Sequence, residues 1–172
     1  MNTRSVLLAY ATRYGSTQEA AETVTAALRA AGLEVDLRPL QDVTTLDRYD
    51  AVVLGAAIYN GRWHPDALSF LSQHQAALRQ RPVAIFALGP LATSAAAMRR
   101  SRGQLDRELV KYPWLKPVAL EMFVGKLDPT KLGFFERMTT PASDHMDLAA
   151  VRAWANALPV HLQRAEVLRP VG

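Results

Sequence analysis

The chain has 172 residues, 49% of them hydrophobic, no cysteine and a formal net charge of +4, with a mean hydropathy of -0.03. That length suits one domain, 1–172, with a sizeable core, and the lack of cysteine excludes disulfides and thiolate chemistry, so any redox work must rest on a bound cofactor. No apolar run approaches the ~20 residues that cross a bilayer, and the N-terminus lacks a signal-peptide pattern, so a cytoplasmic protein is expected. A pI near 9.7 favours acidic partners or weak contact with an anionic membrane surface, peripheral to the inner face. A solvated, arginine-rich surface would read the same. Nucleic-acid binding lacks both a motif and interleaved aromatics.

The segment 5–10 is a nearly continuous apolar run, as expected of a parallel strand buried on both faces. An amphipathic helix over 17–31 follows, with Ala20, Ala21, Val24, Ala27, Leu28 and Ala31 on one stripe and Gly32 placed as a left-handed C-cap. Between them the turn carries Thr12, Arg13, Tyr14, Gly15, Ser16 and Thr17. Hydroxyls and a glycine at a helix N-terminus, where N–H groups lack intrahelical partners and the dipole is positive, suit a phosphate. Ser16 and Glu19 also have capping-box spacing, which accounts for two residues but not for the crowd of hydroxyls. No Walker A loop is present, nor a G-x-G-x-x-G fingerprint.

Residues 33–38 alternate apolar and polar, the pattern of a half-exposed edge strand whose charges discourage edge pairing. A polar connection over 41–48 leads to a second buried strand, 51–58. Pro65 opens a helix over 65–79. The third buried strand is 82–88, broken by Gly89-Pro90. A helix over 94–111, rich in arginine (Arg99, Arg100, Arg102, Arg107), ends before Pro113. A strand over 118–124 is followed by an irregular stretch, 128–143, with a short apolar helical piece at 132–138. A closing helix over 147–164 must kink or stop at Pro159. These elements imply an α/β fold with a doubly wound five-stranded parallel sheet, order 2-1-3-4-5, and helices on both faces. A ligand then belongs in the crevice outside the carboxyl ends of strands 1 and 3.

The phosphate turn T-R-Y-G-S-T after a first strand resembles the phosphate loop of flavodoxins, T-x-[x]-G-x-T, so the implied fold is flavodoxin-like and the implied cofactor FMN. On that resemblance three loops hold it. Thr12, Arg13, Tyr14, Gly15, Ser16 and Thr17 take the phosphate, Arg13 with no more claim to contact than to solvent. Ala57, Ile58, Tyr59, Asn60, Gly61 and Trp63 lie against the isoalloxazine ring. Leu88, Gly89 and Pro90 close over it through backbone groups. Tyr59 and Trp63 are the candidate stacking rings, with core packing as the other reading of Trp63. A flip of the Asn60–Gly61 peptide would present a carbonyl to the ring's N5, since glycine accepts positive φ.

His64 reads as a helix-entry residue. No catalytic side chain is assigned, because the chemistry belongs to the flavin. His64, His74, His145 and His161 are scattered, and no metal-ligand spacing occurs.

Two longer stretches, V-V-L-G-A-A-I-Y-N-G-R-W-H-P and F-V-G-K-L-D-P-T-K-L-G-F-F-E-R-M, are similar to the flavodoxin-domain group that includes the menaquinone-dependent protoporphyrinogen oxidases of the HemG type. That likeness implies an oxidoreductase that transfers electrons, its partner a redox protein or a quinone- or porphyrinogen-like small molecule. The longer apolar and basic insertion of those enzymes is mostly missing here. Phe134, Phe135 and Met138 remain as a small apolar cluster. Two other readings stay open: a pure electron carrier with no substrate of its own, and a flavin-free module acting by protein contact.

Overall fold

A computed structural model describes residues 4–127, 143–144 and 146–167. Most of the irregular stretch expected over 128–143, with its helical piece and Phe134, Phe135 and Met138, lies outside the described residues. The strands β1 (Ser5–Ala11), β2 (Glu34–Pro39), β3 (Ala51–Tyr59), β5 (Val83–Leu88) and β6 (Ala119–Phe123) pair in parallel in the order β2-β1-β3-β5-β6. This is the topology expected from the sequence, with the alternating strand at the edge. A two-residue strand β4 (Arg62–Trp63) turns back antiparallel on β3, and β7 (Lys126–Leu127) pairs with β8 (Ser143–Asp144).

Because successive side chains in a strand point to opposite faces, the apolar runs divide by parity into two cores. Leu7, Ala9, Val52, Leu54, Ala56, Ile85 and Ala87 pack on one face with Ala67, Phe70, Leu71, Leu78 and Leu105. These last come from α2 (Pro65–Gln73), α3 (Gln75–Arg79) and α4 (Ala95–Leu109). On the other face Val6, Leu8, Val53, Ala84 and Phe86 meet Ala20, Ala21, Val24 and Leu28 of α1 (Ser16–Ala30) and Val151, Ala155, Leu158 and Leu162 of α5 (Leu148–Val167).

Helix boundaries differ from expectation where local chemistry intervenes. The capping box does not form: Gly15, at φ 90°, is the N-cap of α1, with no side-chain cap, and Ser16 is already helical. The helix expected over 65–79 is divided between α2 and α3 at His74, whose φ of -109° and ψ of 19° leave the helical region. Pro159 does not end α5, which continues to Val167. Its stripe Val151, Ala155, Leu158 and Leu162 is fully buried on both sides of the proline, and Leu162 O accepts a hydrogen bond from the Arg4 guanidinium (2.7 Å). Burial of that stripe, worth roughly 1.5–3 kcal/mol per large side chain, outweighs the lost helical hydrogen bond. Asp147 caps α5 by accepting from the N–H groups of Ala149 (2.9 Å) and Ala150 (3.1 Å).

At the β2 edge, Asp36 accepts from Arg38 Nε (2.7 Å), from Arg48 and from the Tyr49 hydroxyl. Burial alone would raise its carboxyl, but these three donors outweigh it and hold the group below the ordinary carboxylate range. The cluster ties the loop before β3 to the edge strand.

Gly55 is needed for close packing. It pairs with Phe86 across β3 and β5, and a Cβ at position 55 would lie 2.1 Å from the tip of the fully buried Phe86 ring. That ring also meets Trp154 of α5 edge-on (5.9 Å between centroids). Gly55→Ala is therefore expected to destabilise the fold by about 1–3 kcal/mol through overpacking, read as a lower urea midpoint. An unchanged midpoint would contradict the packing described.

Burial pushes the His74 imidazole below its ordinary value of 6.5. The unfolded chain then takes up its proton at a higher pH than the folded one, so stability falls as pH drops below about 6.5. His74→Gln should flatten the change in urea midpoint between pH 7.5 and 5.5.

Candidate cofactor site

The site forms where β1, β3 and β5 end together. At the end of β1 the chain must turn within a few residues into α1. The Gly15 N–H donates to Thr12 Oγ1 (2.8 Å), which closes the turn, and Gly15 takes a left-handed conformation at φ 90°, which glycine adopts at little cost. The Gly15 carbonyl receives the Glu19 N–H (3.1 Å), the first bond of the helix. The N–H groups of Ser16, Thr17 and Gln18 then open α1 with no carbonyl behind them in the helix. A left-handed residue followed by successive N–H groups can form an anion-binding concavity.

Among the described residues two buried hydroxyls lack a partner, Thr17 Oγ1 and Thr25 Oγ1, and only Thr17 stands in the first turn of α1. Thr17 is 1% exposed, and its Oγ1 has no hydrogen-bond partner. An unpaired buried hydroxyl costs about 1–3 kcal/mol. A phosphate in the turn would supply the acceptor this hydroxyl lacks.

A cavity of about 230 Å³ adjoins the turn. Ser16 lies at its phosphate side. Ala57, Ile58, Tyr59 and Asn60 form one wall, Leu88, Gly89, Pro90 and Leu91 the other, and Gly125 and Lys126 complete the lining. The second wall is pinned from behind: the Gly89 N–H donates to Phe123 O (2.7 Å), and the Gly125 N–H to Pro90 O (2.9 Å). A Cβ at Gly125 would sit 2.9 Å from Gly89 O, so these two loops meet only because residue 125 has no side chain. Lys126 Nζ lies 3.6 Å from the Glu19 carboxylate, linking this loop to the first turns of α1.

The structure thus brings together Ser16, the residues from Ala57 to Asn60, and those from Leu88 to Pro90, beside a turn built by Thr12, Gly15 and Thr17. Tyr14 and Tyr59 form a tilted pair (5.7 Å), with the Arg13 guanidinium 5.1 Å and 5.4 Å from their ring centres. Arg13 therefore bridges the phosphate turn and the β3 loop by cation–π contact. Asn60 (φ 47°) and Gly61 (φ 76°) are the central pair of a two-residue hairpin joining Tyr59 to Arg62, the type I′ geometry that Asn-Gly favours.

Trp63 does not belong to the site. It is fully buried and packs in the core beneath α2 and α4, with its indole N–H donating to Ala56 O (3.1 Å). A ring with no exposed face cannot stack on a ligand. Trp63 instead braces the β3–β4 hairpin from behind. His64 is the N-cap of α2, its Nδ1 accepting the Asp66 N–H (3.2 Å). Sequence reasoning missed Gly125 and Lys126 as lining residues. The glycine that follows the apolar run ending in β6 was the available signal, since in such sheets ligands gather at the carboxyl ends of several strands.

A doubly wound parallel sheet with a hydroxyl-lined turn at its topological switch point is the architecture in which open α/β sheets bind their ligands. The chain belongs to the flavodoxin domain family, whose model matches residues 7–148, and FMN is that family's cofactor. Over 133 residues the chain is 23% identical to protoporphyrinogen IX dehydrogenase [quinone] of Escherichia coli K12, an alignment covering 76% of this chain and 74% of the relative. Oxidised flavodoxin 2 from Bacillus cereus superposes with a TM-score of 0.56 at 18% identity, covering 94% of this chain and 99% of that one. The rubredoxin oxygen:oxidoreductase of Desulfovibrio gigas superposes with a TM-score of 0.58 at 17% identity, covering 97% of this chain and 38% of the other. No helix among the described residues is long and apolar enough to cross a membrane.

The orphaned hydroxyl gives a test that needs no ligand. Thr17→Val keeps the shape and removes the unpaired group, so without ligand the variant should be as stable as the parent or up to about 2 kcal/mol more stable. A marked loss of urea stability would mean that the hydroxyl already has a partner.

Proposed function

We propose that this protein holds FMN with its phosphate in the turn 12–17 and its ring in the slot between 57–60 and 88–91, and that it passes electrons between two partners. The observation that carries the reading is the Thr17 hydroxyl, buried and unpartnered beside open helix N–H groups. Bound FMN supplies one- and two-electron chemistry. The chain's own residues bind and orient it. Thr12 fixes the turn through the Gly15 N–H, while Ser16, Thr17 and the first N–H groups of α1 offer neutral donors to the phosphate. Ile58 and Tyr59 face Leu88, Gly89 and Pro90 across the slot, and these mostly apolar walls exclude water from the ring.

The family and the fold support electron transfer. The likeness to the Escherichia coli dehydrogenase makes a porphyrinogen as donor and a quinone as acceptor the first pair to assay. A carrier without its own substrate would show rapid reduction by a reductase and no turnover of that pair.

Titration with FMN, followed by quenching of flavin fluorescence, tests the binding. Thr17→Val should weaken affinity on the order of tenfold to a hundredfold, as expected for the loss of a charge-assisted hydrogen bond of about 1.5–3 kcal/mol. Ser16→Leu should abolish binding. Equal affinities across the three proteins would refute the phosphate assignment.

A further inference from the structure

The walls of the slot are apolar or neutral apart from one residue. Among the described residues that line it, Lys126 alone carries a full charge. The loop that bears it is fixed on both sides. The Gly125 N–H donates to Pro90 O (2.9 Å), and Lys126 opens β7, paired with Asp144 of β8. The lysine is therefore presented to the slot from a set position.

Glu19 shows which end of the slot it reaches. The Lys126 ammonium lies 3.6 Å from the Glu19 carboxylate, and Glu19 is the acid of the first turn of α1. Side chains on an α-helix tilt toward its N-terminus, so each covers the turn before its own Cα. The Glu19 carboxylate thus lies beside the opening of α1, where Ser16 joins Lys126 in the lining. This sets the ammonium at the Ser16 end of the slot, close to the open N–H groups of the helix and the buried, unpartnered Thr17 hydroxyl.

The ion pair itself does little for the fold. Its separation exceeds the ~2.7–2.9 Å of a charge-assisted hydrogen bond, and the two side chains are 30% and 41% exposed. Pairs of that kind stabilise a protein only slightly, so the ammonium can turn from Glu19 at small cost. A phosphate monoester is close to a dianion at neutral pH. The hydroxyls and N–H groups of the turn are neutral donors and leave that charge uncompensated. Glu19 adds a like charge beside it, which a cation standing between the two would offset.

We propose that Lys126 is a ligand of the phosphate, turning from Glu19 to the dianion held in the turn 12–17, and that it makes the site select a phosphorylated flavin over an uncharged one. The flavin part rests on the FMN reading above; the anion site does not. Glu19 and Lys126 then act on binding in opposite directions. A pair that merely braced the loop would act in one direction, since loss of either partner would break it alike.

Fluorescence titrations with FMN and with riboflavin test this. Lys126→Met should weaken FMN binding on the order of tenfold at low salt, by less at high salt, and leave riboflavin unchanged. Glu19→Gln should strengthen FMN binding roughly twofold to fivefold. Losses of similar size in both variants, or a loss in Lys126→Met shared by riboflavin, would overturn the proposal and make the pair a brace. Inorganic phosphate added without flavin separates this from a failure of the FMN reading. Phosphate should raise the urea midpoint of the parent more than that of Lys126→Met, its general effect on stability being common to both. A protein that responds to phosphate through Lys126 yet binds no flavin keeps the anion site and loses the FMN reading. One that binds FMN equally well as Lys126→Met keeps the FMN reading and loses this one. No response to phosphate or to either flavin overturns both.

Discussion

The bond from the Gly15 N–H to Thr12 Oγ1 (2.8 Å) governs how the first strand becomes the first helix. β1 is buried on both faces, so its direction is set by the sheet, and α1 is buried along one stripe, so its axis is set by the core. Only the short turn between them can be adjusted. The Thr12 hydroxyl closes it, and the left-handed Gly15 turns the chain without the clash a Cβ would bring. A side-chain cap would have satisfied the opening N–H groups of α1. The helix has none, and its donors remain available at the surface. The same choice leaves the Thr17 hydroxyl enclosed without an acceptor. The turn therefore forgoes some stability, and a phosphate would recover it.

Behind the turn, the slot owes its shape to the absence of side chains at two positions. Gly55 lets the Phe86 ring lie flat across β3, which keeps Trp154 and α5 close to the sheet. Gly125 lets the loop after β6 reach the backbone of Gly89 and Pro90. The first contact lies within the core and the second at the rim, but both act by allowing backbone or ring to come nearer than a Cβ permits. The wall 88–91 is thereby held in place by hydrogen bonds from its neighbour rather than by packing of its own exposed residues.

Much of this could be read from the chain. Buried parallel strands show as apolar runs, and the edge strand shows as alternation, because burial on two faces or on one dictates composition. The sharp turn before α1 was legible from its hydroxyls and glycine, and Gly15 takes the left-handed conformation there. What failed depended on pairing at a distance. β4 is two residues long and has no period to detect. Trp63 follows the ring-facing loop in sequence, which suggested stacking, but the hairpin sets it opposite Ile58. That pairing gives Trp63 the parity of Ala56 and Leu54, whose face is covered by α2 and α4. One reversal of the chain thus moved an aromatic from the site to the core. It also turned Arg62 to the face of Tyr59. Gly125 and Lys126 escaped notice because closure of the sheet, not any local pattern, carries them to the slot.

The same hairpin bears on how the loop can move. A peptide flip at Asn60–Gly61 was expected to be cheap because glycine follows. In the type I′ turn observed, both φ angles are positive, and Gly61 can accommodate either orientation of the peptide. Asn60 cannot. Flipping would carry it toward the first position of a type II′ turn, where positive φ combines with strongly negative ψ, a region glycine alone occupies easily. The cost of order 1–3 kcal/mol falls on the asparagine, while Trp63 fixes the hairpin base through Ala56 O (3.1 Å). The loop is thus biased toward one orientation by residue 60 rather than freed by residue 61, and a cofactor that required the other would have to supply that difference through its own contacts.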